Sequence, residues 1–259
     1  MTTATLSIDP TATQQMEYND LLKIATPEAT KTWTPIPHHV IVDEIEEAIL
    51  KNKWTIASGK DFELAVSSEG AKLFGVVQIS IPTVQADSEF GLAIGFRNSH
   101  DKSTSLRVAL GTRVFVCDNM MISGDVQVRR VHTRYINPRE TIDTAFMQIP
   151  QLATKLTDWF SSLRTFSILA DTGVSLLAKC AEVGALPISD FLQARTDYLD
   201  AYRNESETIQ HGQSLWAVYQ AVSAQWKHRS VTQIPERTAK LHQIMNTYRG
   251  VAEVQRDLL

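Results

Sequence analysis

Apolar residues recur at two different periods along this chain, and the changes of period divide it. In "TPIPHHVIVDEIEEAILKNK" the spacing is helical, with Ile41, Ile45, Ala48 and Ile49 on one stripe and Glu44, Glu46, Glu47 and Lys51 facing water. Proline suits a first helical turn, so the helix is expected to begin near Pro37. From Trp54 the period drops to two. "DFELAVSSEGAKLFGVVQISI" predicts a hairpin, with Phe62, Leu64 and Val66 on one strand, a Ser-Glu-Gly turn, and Val77, Ile79 and Ile81 on the return. "EFGLAIGFR", "SLRVAL", "RVFVC" and "DVQVRRVHTRY" predict further strands, the last with no cleanly apolar face.

After Pro138 the helical period returns and holds to the end. Residues 140–184 predict one long helix or two in line, interrupted at Pro150 and stopped at Gly184. Three shorter helices follow, over "SDFLQARTDYLDAY", "SLWAVYQAVSAQWKH" and "PERTAKLHQIMNTY". In the second, Trp216, Tyr219 and Trp226 fall within an arc of about 80°, one aromatic stripe expected to be buried against the long helix or a neighbouring subunit. Residues 1–34 are polar and Thr-rich and predict a flexible arm around one short helix, "QQMEYNDLLKIA". The fold class expected is α+β: an N-terminal helix plus a mostly antiparallel sheet, then a C-terminal helical region. The divisions are 1–34 (arm), 35–137 (strand-rich core with a basic face) and 138–259 (helical region packing on the core).

Composition narrows the setting. No run of 18 apolar residues occurs, so no membrane span is expected, and "MTTATLSIDPTATQQ" has neither the basic nor the apolar region of a signal peptide. Two cysteines, Cys117 and Cys180, make no disulfide framework. A cytoplasmic protein is the expectation.

Charge changes the picture more. Residues 1–96 contain no arginine and carry a net −7, residues 97–139 a net +5, and residues 140–259 a net −2. The basic middle consists of Arg97, Lys102, Arg107, Arg113, Arg129, Arg130, Arg134 and Arg139. Such a stretch in an acidic chain predicts either a localised anion-binding face or a solvated outer face of the strands.

Motifs for cofactor chemistry are missing: no GxxxxGK[ST], no GxGxxG opening a helix, no CxxC and no HExxH. No cofactor and no metal is expected, and the adjacent His38 and His39 would point apart on a helix. His211, His228 and His242 are isolated and expected at surfaces. Cys117 has His100 and His132 near it in sequence, with Asp101 or Asn119 to orient them, the makings of a Cys/His hydrolase. Equally, Cys117 closes the apolar run Val114-Phe115-Val116 and would pack as a small hydrophobe. Asp101, Asp118 and Asp125 stand too far apart for clustered-carboxylate metal chemistry. "NSHDKST" reads as a loop between strands, and "CDNMM" as a helix start capped by Asp118 or Asn119.

The stretch "FRNSHDKSTSLRVALGTRVFVCDNMM" resembles the phage and plasmid-like proteins of the domain-of-unknown-function family numbered 932. Their R-N-S-H-D-x-S motif is met by Arg97, Asn98, Ser99, His100, Asp101 and Ser103, and their V-C-x-N motif by Val116, Cys117 and Asn119. Members follow that asparagine with a small polar residue, where this chain has Met120 and Met121. In outline the resemblance runs from about residue 35 to about residue 248. It implies a protein serving replication, recombination or counter-defence in a host cytoplasm. The succession of helix, strands and helices is also similar in outline to single-strand annealing proteins of phages, a fold-level analogy.

Three function classes follow. The leading one is an oligomeric accessory protein binding nucleic acid, single-stranded DNA in particular. Arg97, Lys102, Arg107, Arg113, Arg129, Arg130 and Arg134 would contact phosphates, Asn98, Ser99, His100, Asn119 and His132 sugar or base edges, and Phe96 or Tyr135 would stack on a base. The second is an interaction protein that binds a host or phage partner through the same loop. The third is the hydrolase built on Cys117, His100, His132 and Asp101.

Overall fold

In the computed structural model, which describes residues 13–57, 61–67, 69–84, 90–114, 119–204, 211–226 and 233–257, Glu69 and Gly70 turn the chain between two strands. Glu69 and Gly70 take φ of 56° and 87°, the left-handed region that closes a short connection. The two strands it joins pair antiparallel, from Glu63↔Val76 to Ser67↔Lys72. The strands are β1 (Thr13–Met16), β2 (Thr55–Ile56), β3 (Glu63–Ser67), β4 (Lys72–Ser80), β5 (Phe90–Ser99), β6 (Leu106–Val114) and β7 (Asn119–Arg130). Among the described residues they form one sheet of seven strands in the order β1-β3-β4-β5-β6-β7, with β2 pairing the end of β4. The pairings from β1 through β6 are antiparallel. The helices are α1 (Tyr18–Leu21), α2 (His38–Lys51), α3 (Pro138–Thr165), α4 (Ala170–Glu182), α5 (Phe191–Arg203), α6 (Leu215–Ala224) and α7 (Ile234–Asp257). The fold is α+β, with a helical C-terminal region.

The chain separates into two compact units, residues 1–116 with 125–154 and residues 117–124 with 155–259, so β7 and α3 contribute to both. In the first unit α2 starts directly after Pro37 and buries Ile41, Ile45, Ala48 and Ile49, the stripe its periodicity predicts. One sheet face carries Leu64, Val66, Leu73, Val77, Ile79, Leu92, Ile94, Phe96, Val108 and Leu110, all buried. Gly75 lies opposite Phe96 in register, and the ring occupies the place of its missing side chain: a Cβ there would stand 2.1 Å from Phe96 Cζ. Gly75→Ala must therefore turn the Phe96 ring out of the core, at a cost of about 1–3 kcal/mol. Urea unfolding measures it, and an unchanged midpoint would refute the clash.

Three local expectations give way to longer-range interactions. Thr13–Met16 is an edge strand, not part of a helix, because β3 offers it an open row of backbone groups, paired Thr13↔Ser67 to Met16↔Leu64. The α3 helix runs unbroken through Pro150, carried by the buried stripe of Ile142, Ala145, Phe146, Ile149 and Ala153. It ends at Thr165 instead, where the backbone turns to bond residues 213–215: Ile168 N–H donates to Gln213 O and Leu215 N–H to Phe166 O, both at 3.0 Å. "NMM" opens β7 rather than a helix. Gly184, at φ 78°, does end α4.

In the second unit Trp216 and Tyr219 of α6 are buried side by side, while Trp226, expected on the same stripe, lies two residues past the end of α6 and is buried separately. Phe160 of α3 meets Trp216 and Tyr219 edge-on at 5.1 and 5.4 Å, and Trp226 Nε1 donates to Ala185 O at 3.0 Å. His242 is buried rather than at the surface, with its Nε2 2.8 Å from the Tyr219 hydroxyl. Among the described residues, no helix is long and apolar enough to cross a membrane.

Candidate functional site

Alternation along β5 sends Asn98 and Arg97 to opposite faces of the sheet, and the two faces do different things. Asn98 ends the apolar face and is fully buried. Its Nδ2 donates to Ile36 O at 2.7 Å and to His38 Nδ1 at 3.0 Å. His38 Nε2 lies 2.8 Å from Gly70 O, which only a donor can satisfy, so His38 is neutral with its proton on Nε2. One residue beyond β5, His100 stacks on His38 with ring centroids 3.8 Å apart and planes within 2°. Its Nε2 donates to the same Ile36 carbonyl at 2.9 Å. Burial, and then the neighbouring imidazole of His100, pushes His38 down to about 4. Burial also lowers His100, against the pull of the Ile36 and Ala25 carbonyls. His132 is 3% exposed, stacked on Trp33 at 6.4 Å, and its basicity too is depressed by burial and by His100.

These residues tie β5 to the chain before α2; they do not face solvent. Asn98, Ser99, His100 and His132, expected to touch a ligand, are thus interior residues. Ser99 Oγ donates to Thr104 O at 2.8 Å and accepts Thr104 N–H at 3.1 Å, closing the turn into β6. Asp101 accepts Ser103 N–H at 2.9 Å and pairs with Lys72 at 3.6 Å, so its carboxylate holds this turn. Part of "NSHDKST" is a loop, as expected, but Asn98 and Ser99 belong to the strand. Lys102 sits in the turn at φ 63°, with Nζ 4.9 Å above the Trp33 ring.

The opposite face gathers arginines. Arg97 pairs in register with Arg107 and with Phe74 of β4, and on the same face follow Gly95 beside Ala109 and Ala93 beside Gly111, all four buried. Ser105 Oγ accepts from Arg129 Nε at 3.0 Å and from Arg107 Nε at 3.5 Å, which places the β7 arginine beside the β6 one. Arg97 and Arg107 are half-buried and Arg129 is exposed. Desolvation first, and then Arg107 and Arg129, lower the basicity of Arg97; desolvation and Arg129 lower that of Arg107. Three guanidinium groups are thus close enough to repel one another. Arg130 and Arg134 are exposed farther along the same segment. Arg139 is not part of this group: it pairs with Glu44 and Glu47 of α2.

Of the remaining candidates, Arg113 takes the register position opposite Gly91, and Asn119 is the first residue of β7. Cys117 lies outside the described residues. Among the described residues no group of three His, Cys, Asp or Glu could hold a metal ion. Cys180 is a packed thiol, pushed up to about 12 by burial. Of the two aromatics expected to stack on a base, Phe96 is buried, while Tyr135 is 85% exposed. Sequence reasoning missed Trp33, His38 and Ser105. The "HH" pair was the only signal for His38, and Ser105 gave none, since its role depends on two arginines of other strand positions meeting it.

A family model described as "Domain of unknown function (DUF932)" matches residues 29–249, most of the chain. No curated protein and no solved structure matches.

Proposed function

The chain belongs to this DUF932 family, and we propose that it is a nucleic-acid-binding accessory protein of phage or plasmid replication or recombination. It acts in the cytoplasm as a homo-oligomer, and its ligand is single-stranded DNA. The observation that carries this reading is the meeting of Arg97, Arg107 and Arg129 at one end of the sheet. Guanidinium groups that repel each other and have lost part of their hydration gain from a polyanion, which supplies both counter-charge and bidentate acceptors. Arg130 and Arg134 are exposed in the same segment as Arg129, and Lys102 is exposed in the turn before β6. Asn98, Ser99 and His100 serve from inside, fixing the end of β5 and the turn into β6 so that Arg97 stays beside Arg107.

A salt titration by fluorescence anisotropy with labelled oligonucleotides tests this. With three to six phosphates engaged, the log–log slope for a single strand should be about −2 to −4. Replacing Arg129 and Arg130 by glutamine should flatten it by about one unit. It should also weaken different sequences alike, because phosphate contacts carry no base information. Absence of binding to DNA or RNA at about 50 mM salt, where such contacts are strong, would overturn the reading and leave a host or phage protein as the partner.

A further inference from the structure

We propose that Tyr135, with Arg134 beside it, is a stacking platform for one unpaired base, so that the site takes an unpaired strand in preference to a duplex. The proposal rests on the nucleic-acid reading and adds the element that selects the form of the strand. Tyr135 is 85% exposed, the highest value among the large apolar and aromatic side chains left open to solvent in the described residues. Val131, four residues before it, is 62% exposed, and Arg129, Arg130 and Arg134 are exposed in the same short segment. The Arg134 guanidinium carbon lies 5.7 Å from the Tyr135 ring centroid, so the ring already carries a cationic neighbour of the kind that sits against stacked bases.

The segment is built to hold this ring out. On one side His132 is buried and stacked on Trp33. On the other, Asn137 caps α3, its Oδ1 accepting Glu140 N–H at 3.4 Å and its backbone O accepting Thr141 N–H at 3.3 Å. Between these anchors Ile136 N–H donates to Thr133 O at 3.1 Å, closing a turn around Arg134 and Tyr135. Thr34 Oγ1 donates to Arg134 O at 3.3 Å and pins the turn to the chain before α2. A flat, apolar ring kept in water by a braced turn, next to arginines, offers a surface that every base can stack on. Bases inside a duplex present no open face to it. Tyr135 is six residues from Arg129, which bounds their Cα separation at about 22 Å for a fully extended chain. One short oligonucleotide can therefore reach both.

The experiment uses the full chain, a labelled thymidine oligonucleotide and a labelled duplex, read by anisotropy at several salt concentrations. Tyr135→Ala should weaken the single strand about tenfold or more and leave the duplex and the salt slope unchanged, with an unaltered melting temperature. Tyr135→Phe should retain single-strand affinity. An alanine variant that binds the single strand within about twofold of the native protein, where loss of a stacked base should cost far more, would overturn the platform and leave the arginine face standing. A loss that comes with a flatter slope would assign the effect to a phosphate contact of Arg134 and overturn the stack. A native protein that binds neither form at about 50 mM salt, conditions that favour phosphate contacts, would overturn the nucleic-acid reading and this proposal with it.

Discussion

Phe160→Ala is expected to destabilise the helical unit by about 3–5 kcal/mol. The side chain is fully buried, and its ring meets three aromatic neighbours edge-on: Trp159 at 5.2 Å, Trp216 at 5.1 Å and Tyr219 at 5.4 Å. Removing it takes apolar surface out of the core and opens a space that the surrounding rings are poorly able to fill. Trp216 and Tyr219 are already stacked on each other at 5.6 Å, and Tyr219 is held by His242. Urea unfolding followed by tryptophan fluorescence measures the loss. A cost below about 1 kcal/mol would mean that the cluster collapses freely around the gap.

Acid should destabilise the sheet unit through its buried histidines. His38 has a folded value of about 4 against an ordinary 6.5. Below pH 6.5 the unfolded chain takes up a proton that the folded chain refuses, so stability is complete above that pH. It falls as the pH drops and levels off below about 4. The loss from His38 alone amounts to about 3 kcal/mol. His100 and His132 are shifted the same way and add to it. His38→Gln supplies one donor for Gly70 O and one acceptor for Asn98 Nδ2 but cannot take up the proton. Stability measured from pH 7 to pH 4 should decline less steeply in this variant. An equal decline in the two proteins would remove His38 as the cause.

Both effects arise where side chains from separate elements meet, and this governs how much could be read in advance. The α2 stripe, the 63–80 hairpin and the Trp216–Tyr219 pair of α6 were legible because each depends on the spacing of neighbouring residues. The end of α3 was not, because Pro150 is a local signal and the bonds of residues 166–168 to residues 213–215 are not. The R-N-S-H-D stretch was legible as a place and misleading as a surface. Polar side chains in a row suggest a loop, yet two of them lie in β5, and Asn98 points into the interior.

The amino-acid order by itself determined the α+β succession of elements, the faces of the regular helices and strands, and the concentration of arginine between residues 97 and 139. Each follows from the 3.6- and two-residue periods of the backbone, or from counting charges. Only the tertiary structure decided that His38 would stack on His100, that Ser105 would hold Arg107 beside Arg129, and that Tyr135 alone of the two candidate stacking rings would stay in water. The reason is physical. Whether a polar side chain is buried or exposed depends on partners brought in from distant positions. Ile36 and Gly70 offer carbonyls to the two histidines across 64 and 32 residues, and no local pattern records that they will be there.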